Sequence, residues 1–309
     1  MSDQTAVPEL SIIIVTYNSA QVIKNCLASI AAEAAQGTSV ETLVVDNGST
    51  DGTPELVRAG FPAVRLITGQ GNVGFARGNN IGFGLARGRY LLMLNADTEI
   101  HPGGLRALVA FAEAHPEAGF VAPHLINPDG SLQHSTFRFP DFHQAFYGYF
   151  EKQVPMDSVA NGRYLPSEYE HARRVEHALG AAVLIRRAAY EQIGGMDEKY
   201  ALYFEETDWC FRCLRAGWQV WYTPEATIMH LGAHSTRSDP ERSSVLFARS
   251  QSYYWRKNYG WLKYAGLKII TLLGLTYWLG RSLWGLARGK ITGEKFVKRA
   301  VSYGKILVA

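Results

Sequence analysis

The sequence predicts an α/β chain with a mostly parallel sheet flanked by helices and a helical appendage at the C-terminal end. Three observations predict it. Short β-rich runs alternate with helix-like stretches through the first 125 residues, those runs are apolar almost without a break, and the charge is divided unevenly along the chain. Near-continuous apolar strands belong to sheets covered on both faces, and strand–helix alternation is the mark of parallel pairing.

In chain order, the strand-like runs are residues 11–16 (SIIIVT), 42–46 (TLVVD), 64–68 (VRLIT) and 90–94 (YLLML). Each leads through polar or glycine-rich residues into a helix-like stretch, at residues 20–32, 54–59, 75–86 and 104–114. Beyond residue 127 the rhythm weakens. Asn127-Pro-Asp-Gly130 reads as a hairpin turn, and residues 137–150 are dense in aromatics. Residues 181–187 (AAVLIRR) and 218–223 (WQVWYT) read as further strands, and residues 207–216 as a helix stopped by Gly217.

The 309 residues carry 31 Lys+Arg against 28 Asp+Glu, a net +3, with 47% hydrophobic residues. Such a chain buries a core and is neither disordered nor collagen-like. Three cysteines argue against a disulfide scaffold. The net charge conceals an asymmetry: residues 254–309 hold 11 basic residues and one acid, Glu294, a net of +10, which leaves −7 for the rest. Asymmetry of this kind points to a membrane or a nucleic acid. Residues 254–286 interleave Trp255, Trp261, Trp278 and Trp284 with Arg256, Lys257, Lys263, Lys268 and Arg281, which suits an interfacial helix or helical hairpin on an anionic bilayer. A packed helical subdomain or oligomer contact is the plainer alternative. Nucleic acid ranks last, because the apolar content is high and no recognition motif accompanies it. The N-terminal MSDQTAVPEL shows no secretory signal, and the longest uncharged apolar run, residues 269–280, is too short to span a bilayer.

In open α/β sheets ligands bind beyond the carboxyl ends of the strands. After the first run come Thr16, Tyr17 and Asn18; after the second, the Asp46–Gly52 loop; after the third, GQGNVGFARGNNIG; after the fourth, Asn95-Ala96-Asp97. Each has a bland reading as turn or cap, but polar groups at every strand end suit a nucleotide and a hard cation. Gly69, Gly71 and Gly74 satisfy G-x-G-x-x-G and raise a nicotinamide-oxidoreductase reading. That fingerprint belongs at the first strand–helix turn, where this chain has no glycine. Asp97 could cap a helix or ligate Mg²⁺ or Mn²⁺, which favour few carboxylates plus phosphate oxygens. Glu205, Glu206 and Asp208 crowd a helix start, where the macrodipole favours anions and where a carboxylate could serve as a general base. Cys210 and Cys213 form a C-x-x-C inside a helical pattern, better read as buried packing than as zinc ligands. His230 is either a partly buried histidine or a metal ligand beside Asp97.

Taken together, SIIIVTYNS, VVDNGSTDGT, GNVGFARGNNIG, LLMLNADT, GGMDEKYALYFEETDWCFRCLRAGW and MHLGAHST resemble the family 2 glycosyltransferases of the GT-A fold, rhamnosyltransferase-like bacterial members in particular, over about residues 10–238. The resemblance implies a GT-A catalytic domain over residues 1–240, and the charge and aromatic content of the remainder make residues 241–309 a basic, aromatic-rich, helical membrane-docking region. It implies that Thr16, Tyr17 and Asn18 line the base and ribose, with Asp46 reading the pyrimidine, and that Asn72, Gly74, Phe75, Ala76 and Asn80 shape the donor pocket. Asn95-Ala96-Asp97 stands where the family has D-x-D, so Asp97 carries the metal shell, with His230 completing it. Glu206 is the expected base, Glu205 the close second, and Asp208 a support for the acceptor side or the helix start. The implied reaction is an inverting transfer from a nucleotide sugar, dTDP-L-rhamnose first and UDP-hexoses or UDP-galactofuranose behind it, to a hydroxyl of a lipid-linked or cell-surface glycan precursor. The expected setting is the cytoplasm, peripheral on the inner face of the plasma membrane, with a homo-oligomer left open. A non-catalytic sugar-nucleotide-binding or scaffold member of the same fold is the alternative, and the intact acids speak against it.

Overall fold

A computed structural model describes residues 7–150, 159–232 and 240–309. The start of the N-terminal segment and residues 233–236 of the MHLGAHST motif lie outside them. Contacts divide the chain into two compact units, one of Met1–Arg138, Tyr164–Lys199 and Glu205–His234, the other of Phe139–Arg163, Tyr200–Phe204 and Ser235–Ala309.

The first unit begins with the predicted alternation: β1 (Leu10–Thr16), α1 (Ile23–Ala35), β2 (Val40–Asp46), α2 (Thr53–Gly60), β3 (Arg65–Ile67), α3 (Phe75–Leu85) and β4 (Tyr90–Asn95). Then come β5 (Thr98–Ile100), α4 (Gly104–Ala114), β6 (Ala118–Ile126), β7 (Leu132–Gln133) and β8 (Thr136–Phe137). In the second unit α5 spans Phe142–Phe150. The first unit resumes with β9 (Arg173–Val175), β10 (His177–Ala178), β11 (Ala182–Arg186), α6 (Arg187–Ile193), α7 (Glu205–Arg215) and β12 (Gln219–His230).

The main sheet runs β3-β2-β1-β4-β11-β6-β12-β5. Strands β3, β2, β1 and β4 are mutually parallel, β6 and β12 are parallel to each other, and β11 runs antiparallel between β4 and β6. Ile12, Ile14, Val44, Leu92 and Leu94 are buried in one core with Leu105 and Leu108 of α4, as the unbroken apolar strands require. Register sets the functional edge: Thr16 stands beside Asp46, and Val15 beside Asn95. Because β11 is antiparallel, its first residue, Ala182, pairs with Leu94 at that same edge.

Helix α3 contains Gly78 and Gly82, poor helix formers one turn apart. A Cβ on Gly82 would stand 2.4 Å from Cγ2 of Ile13, and one on Gly78 2.9 Å from Cγ1 of Val15. The glycines let α3 lie directly on β1.

Strand β6, Ala118–Ile126, is absent from the sequence reading, and β12 runs seven residues beyond its expected end at Thr223. Pro224 explains the second error. It removes a ladder N–H, and the pairing with β6 slips between Thr223 and Thr227, but the strand resumes and carries on to His230.

In the second unit, α8 (Pro240–Tyr254) passes through a π-helical turn at Trp255–Tyr259 into α9 (Gly260–Ala287), followed by α10 (Gly293–Val308). Helix α5 packs on α9, where Gly266 lies under Phe142, Gly274 lies under Tyr149, and Trp278 Nε1 donates to the Tyr149 carbonyl. Among the described residues no helix is long and apolar enough to cross a membrane.

Candidate active site

Three groups of side chains gather where the strands of the first unit end. The first is built by Asp46. Its Oδ1 accepts from the Thr16 hydroxyl at 3.2 Å, and its Oδ2 accepts from the backbone N–H groups of Gly48 and Ser49 at 3.0 and 3.1 Å. Asn18, at φ 52°, accepts from the Thr50 N–H through Oδ1, and its own N–H donates to the Ser49 hydroxyl. Asp46 therefore shapes the loop after β2, and Asn18 ties that loop to the end of β1. Tyr17 between them is half exposed.

Asn72 accepts from the Gly74 N–H at 3.2 Å, and the Gly74 carbonyl accepts from Asn47 Nδ2 at 3.1 Å. Gly74 has φ 86°, the left-handed region that glycine enters without cost, and it opens α3 ahead of Phe75 and the buried Ala76. Asn80 exchanges hydrogen bonds with the backbone of Met196 at 2.8 and 2.9 Å and donates to Glu198, so it pins the segment before α7.

The second group follows β4. Asp97 Oδ1 lies 3.3 Å from Nε2 of His230, and Asn95 Nδ2 lies 3.4 Å from the same nitrogen. Antiparallel pairing of β5 with β12 sets Thr98 opposite His230, which brings residues 97 and 230 together across 133 positions of sequence. The other ring nitrogen, Nδ1, is 2.6 Å from Oε1 of Gln133. Cis ligands on an octahedral Mg²⁺ or Mn²⁺ stand about 3.0 Å apart, given bonds near 2.1 Å. The Asp97–His230 pair fits such an ion. Among the described residues no three His, Cys, Asp or Glu side chains cluster to hold one, so water and phosphate oxygens would supply the remaining ligands.

The third group opens α7. Glu205 is buried and Glu206 half-buried, whereas Asp208 is wholly buried and pairs through Oδ2 with Nε of Arg212 at 2.9 Å. Arg212 also donates to the carbonyls of Ile193 and Gly195, both at 2.7 Å, so Asp208 anchors the base of α7. Burial pushes the Glu206 carboxyl above its ordinary value of 4.5, and backbone N–H groups, that of Gly180 among them, pull it back in part. Before this helix, Tyr203 and Phe204 hold φ values of 66° and 69°, a costly backbone for aromatic residues.

Gly180 and Ala181 join the second group to the third. The Glu206 side chain lies 3.7 Å from the place a Gly180 Cβ would occupy, while the Ala181 carbonyl accepts from the Asn95 N–H at 2.8 Å. A carboxylate with a raised proton affinity thus stands two linked residues from the end of β4. Sequence reading missed Gly180, Ala181 and Gln133, since their partners lie far along the chain and no local pattern marks them. Cys210 and Cys213 are buried in α7, and burial pushes the Cys213 thiol up to about 12.

A family model described as glycosyl transferase family 2 matches residues 11–194. An N-acetylglucosaminyl-diphospho-decaprenol L-rhamnosyltransferase from Mycobacterium tuberculosis is 31% identical over 82% of this chain and 88% of its own length. A Pyrobaculum calidifontis mannosyltransferase, solved with GDP-Man and Mn²⁺, superposes with a TM-score of 0.58 at 17% identity, covering 99% of this chain and 86% of that one. The structure of GalNAc-T7 with UDP, GalNAc and Mn²⁺ gives 0.57 at 15% identity, over 82% and 50% of the two chains.

Proposed function

The chain belongs to glycosyl transferase family 2 and has the GT-A fold, and on that premise we propose that it moves L-rhamnose from dTDP-L-rhamnose to a hydroxyl of a lipid-linked glycan precursor, with inversion. The rhamnosyl donor and the lipid-linked acceptor rest on the mycobacterial relative, whose name specifies both the sugar and a diphospho-decaprenol acceptor. The observation that carries the mechanism is the Gly180–Ala181 link between Glu206 and the Asn95–Asp97 strand end.

Thr16, Tyr17 and Asn18 line the base and ribose. Asp46 keeps one lone pair of Oδ1 for the pyrimidine ring after bonding Thr16 and the loop. Asn72, Gly74, Phe75 and Ala76 shape the wall over the donor, and Asn80 holds the segment leading to α7. Asp97 and His230 would hold a divalent cation, Mg²⁺ or Mn²⁺, which when bound would supply positive charge to a departing diphosphate. Glu206 takes the proton of the acceptor hydroxyl as that oxygen bonds to the anomeric carbon and the carbon–diphosphate bond breaks. Its raised proton affinity suits a general base working near neutrality. Glu205 is the second candidate for that role, and Asp208 positions α7 through Arg212.

Residues 1–240 act as the catalytic domain, and residues 241–309 dock on an anionic membrane at the cytoplasmic face. Helix α9 supports the docking. Its buried side is Leu267, Thr271, Gly274, Leu275 and Ser282, and the opposite side exposes Leu262, Ile269, Leu272, Leu273, Leu279 and Leu283. At 100° per residue no charged side chain falls within that outward stripe; Lys268 lies at one edge of it, and Lys263 and Arg281 stand about 80° beyond the other. The helix is about 42 Å long at 1.5 Å per residue, enough for an extended in-plane contact. A second copy of the chain would set its own +10 region against this one, whereas anionic lipid complements that charge.

Thermal-shift screening against nucleotide sugars tests the donor reading. Stabilisation by dTDP-L-rhamnose that grows with Mg²⁺ or Mn²⁺ supports it, and stabilisation by another sugar nucleotide alone would replace the donor.

A further inference from the structure

We propose that Gln133 is a positioning residue for the cation site, holding His230 in the tautomer that keeps its proton on Nδ1 and aims the Nε2 lone pair at Asp97. The inference rests on the proposed metal site and adds to it a residue, on β7, that does not touch the ion.

The hydrogen-bond directions follow from two backbone carbonyls, which can only accept. Asn127 sends its side-chain nitrogen to the Leu132 carbonyl at 3.3 Å and to the Ser131 hydroxyl at 2.9 Å. That nitrogen must be Nδ2, so the other end of the amide, facing Gln133 at 2.8 Å, is an oxygen. Gln133 meets this oxygen and the His230 carbonyl, 3.0 Å away, with one and the same atom. Facing two acceptors, that atom must be Nε2, and both its protons are used. Oε1 is therefore the atom that meets His230 Nδ1 at 2.6 Å, and Nδ1 carries the proton. A neutral imidazole has one such proton, which leaves Nε2 as a lone pair 3.3 Å from Asp97 Oδ1.

Neither amide can flip without setting an oxygen against a carbonyl oxygen, so the orientation is locked from the turn at Asn127 to the ring. Outer-shell hydrogen bonds of this kind fix the tautomer and ring angle of metal-binding histidines, and removing one weakens metal binding about 10- to 100-fold. With Asn95 replacing the acid that a D-x-D motif would supply, the site depends more heavily on His230 and on the group that aims it.

The test uses the full chain, with Mn²⁺ alone as probe. Gln133→Leu and Gln133→Met remove the acceptor at similar volume, and Asn127→Ala removes the group that orients Gln133. Two quantities are read: the His230 tautomer by ¹⁵N NMR without metal, and Mn²⁺ affinity by loss of the free-ion paramagnetic resonance signal. The expected result is an Nδ1–H ring in wild type, a mixed or Nε2–H ring with 10- to 100-fold weaker Mn²⁺ binding in Gln133→Leu and Gln133→Met, and a partial loss in Asn127→Ala. If Gln133→Leu does not fold, Asn127→Ala and Gln133→Met decide the matter. Wild-type tautomer and affinity in the folded acceptor-removal variants would overturn the role of Gln133, provided Asp97→Asn still weakens binding. If wild type binds Mn²⁺ no better than His230→Ala and Asp97→Asn, the metal reading fails as well.

Discussion

Asp208 Oδ2 lies 2.9 Å from Arg212 Nε, one turn further along α7, and the Asp208 side chain is wholly buried. Its ion pair ties α7 to the carbonyls of Ile193 and Gly195, to which Arg212 donates. Removing one partner of a buried pair leaves a stranded charge and costs about 3 kcal/mol or more. Asp208→Ala should lower the unfolding free energy by that amount, seen as a lower urea midpoint at unchanged slope, while donor affinity of the folded fraction holds. An unchanged midpoint with abolished transfer would move Asp208 into the chemistry.

Gly82→Ala should destabilise the protein even though alanine is the better helix former. The propensity gain is about 1 kcal/mol. Against it stands a Cβ placed 2.4 Å from an Ile13 methyl in a packed core, an overpacking worth about 1–3 kcal/mol. Gly84→Ala, with open space around the added Cβ, should go the other way. Chemical unfolding of the pair measures both signs, and a stabilised Gly82→Ala would contradict the close approach of α3 to β1.

How much of this was legible beforehand follows the range of each interaction. Strands β1, β2 and β4 announce themselves through apolar runs, and the loops at their ends through turn formers, so Thr16, Asp46 and Asp97 could be singled out without coordinates. Strand β6 was missed because AGFVAPHLI holds glycine, proline and histidine, and the end of β12 was misplaced at Pro224. Glu206 and Asp208 were told apart by family resemblance and not by spacing, since the physical difference depends on Arg212 turning back one helical step and on Gly180 arriving just ahead of β11. Gln133 was unreadable for the same reason: its partner is 97 positions away.

Glu206 predicts a pH signature. Its folded-state carboxyl titrates above 4.5, so the native state binds protons that the unfolded state has already released. Stability should therefore fall as pH rises from about the ordinary value of 4.5 to the raised one, then stay level. Glu206→Gln should abolish that decline, seen as the difference between wild-type and variant unfolding curves across pH. The acid limb of kcat/KM should likewise fall above the ordinary glutamate value. Parallel stability profiles for the two proteins would show that Glu206 is not held in a raising environment.

The outward stripe of α9 predicts docking that introduced negative charge destroys. Leu273→Glu with Leu283→Glu should release the protein from vesicles containing phosphatidylserine while leaving the fold intact, because both side chains are exposed. Wild-type binding should weaken with added salt, each basic group near the surface contributing about 1 kcal/mol. Sedimentation of the variant with the vesicles, or salt-independent binding of the wild type, would count against a lipid partner. Concentration-dependent dimerisation without lipid, lost in the variant, would assign the stripe to a second copy.

The central claim is that Glu206 removes the acceptor proton at a site whose donor is held by other residues. It is tested most directly by measuring donor affinity and sugar transfer side by side for wild type and Glu206→Gln. Unchanged calorimetric binding of the nucleotide sugar is predicted, with transfer lowered by about 10²- to 10⁴-fold, the usual contribution of a positioned base. Transfer at the wild-type rate in Glu206→Gln, with Glu205→Gln inactive, would contradict the assignment and place the base one residue earlier.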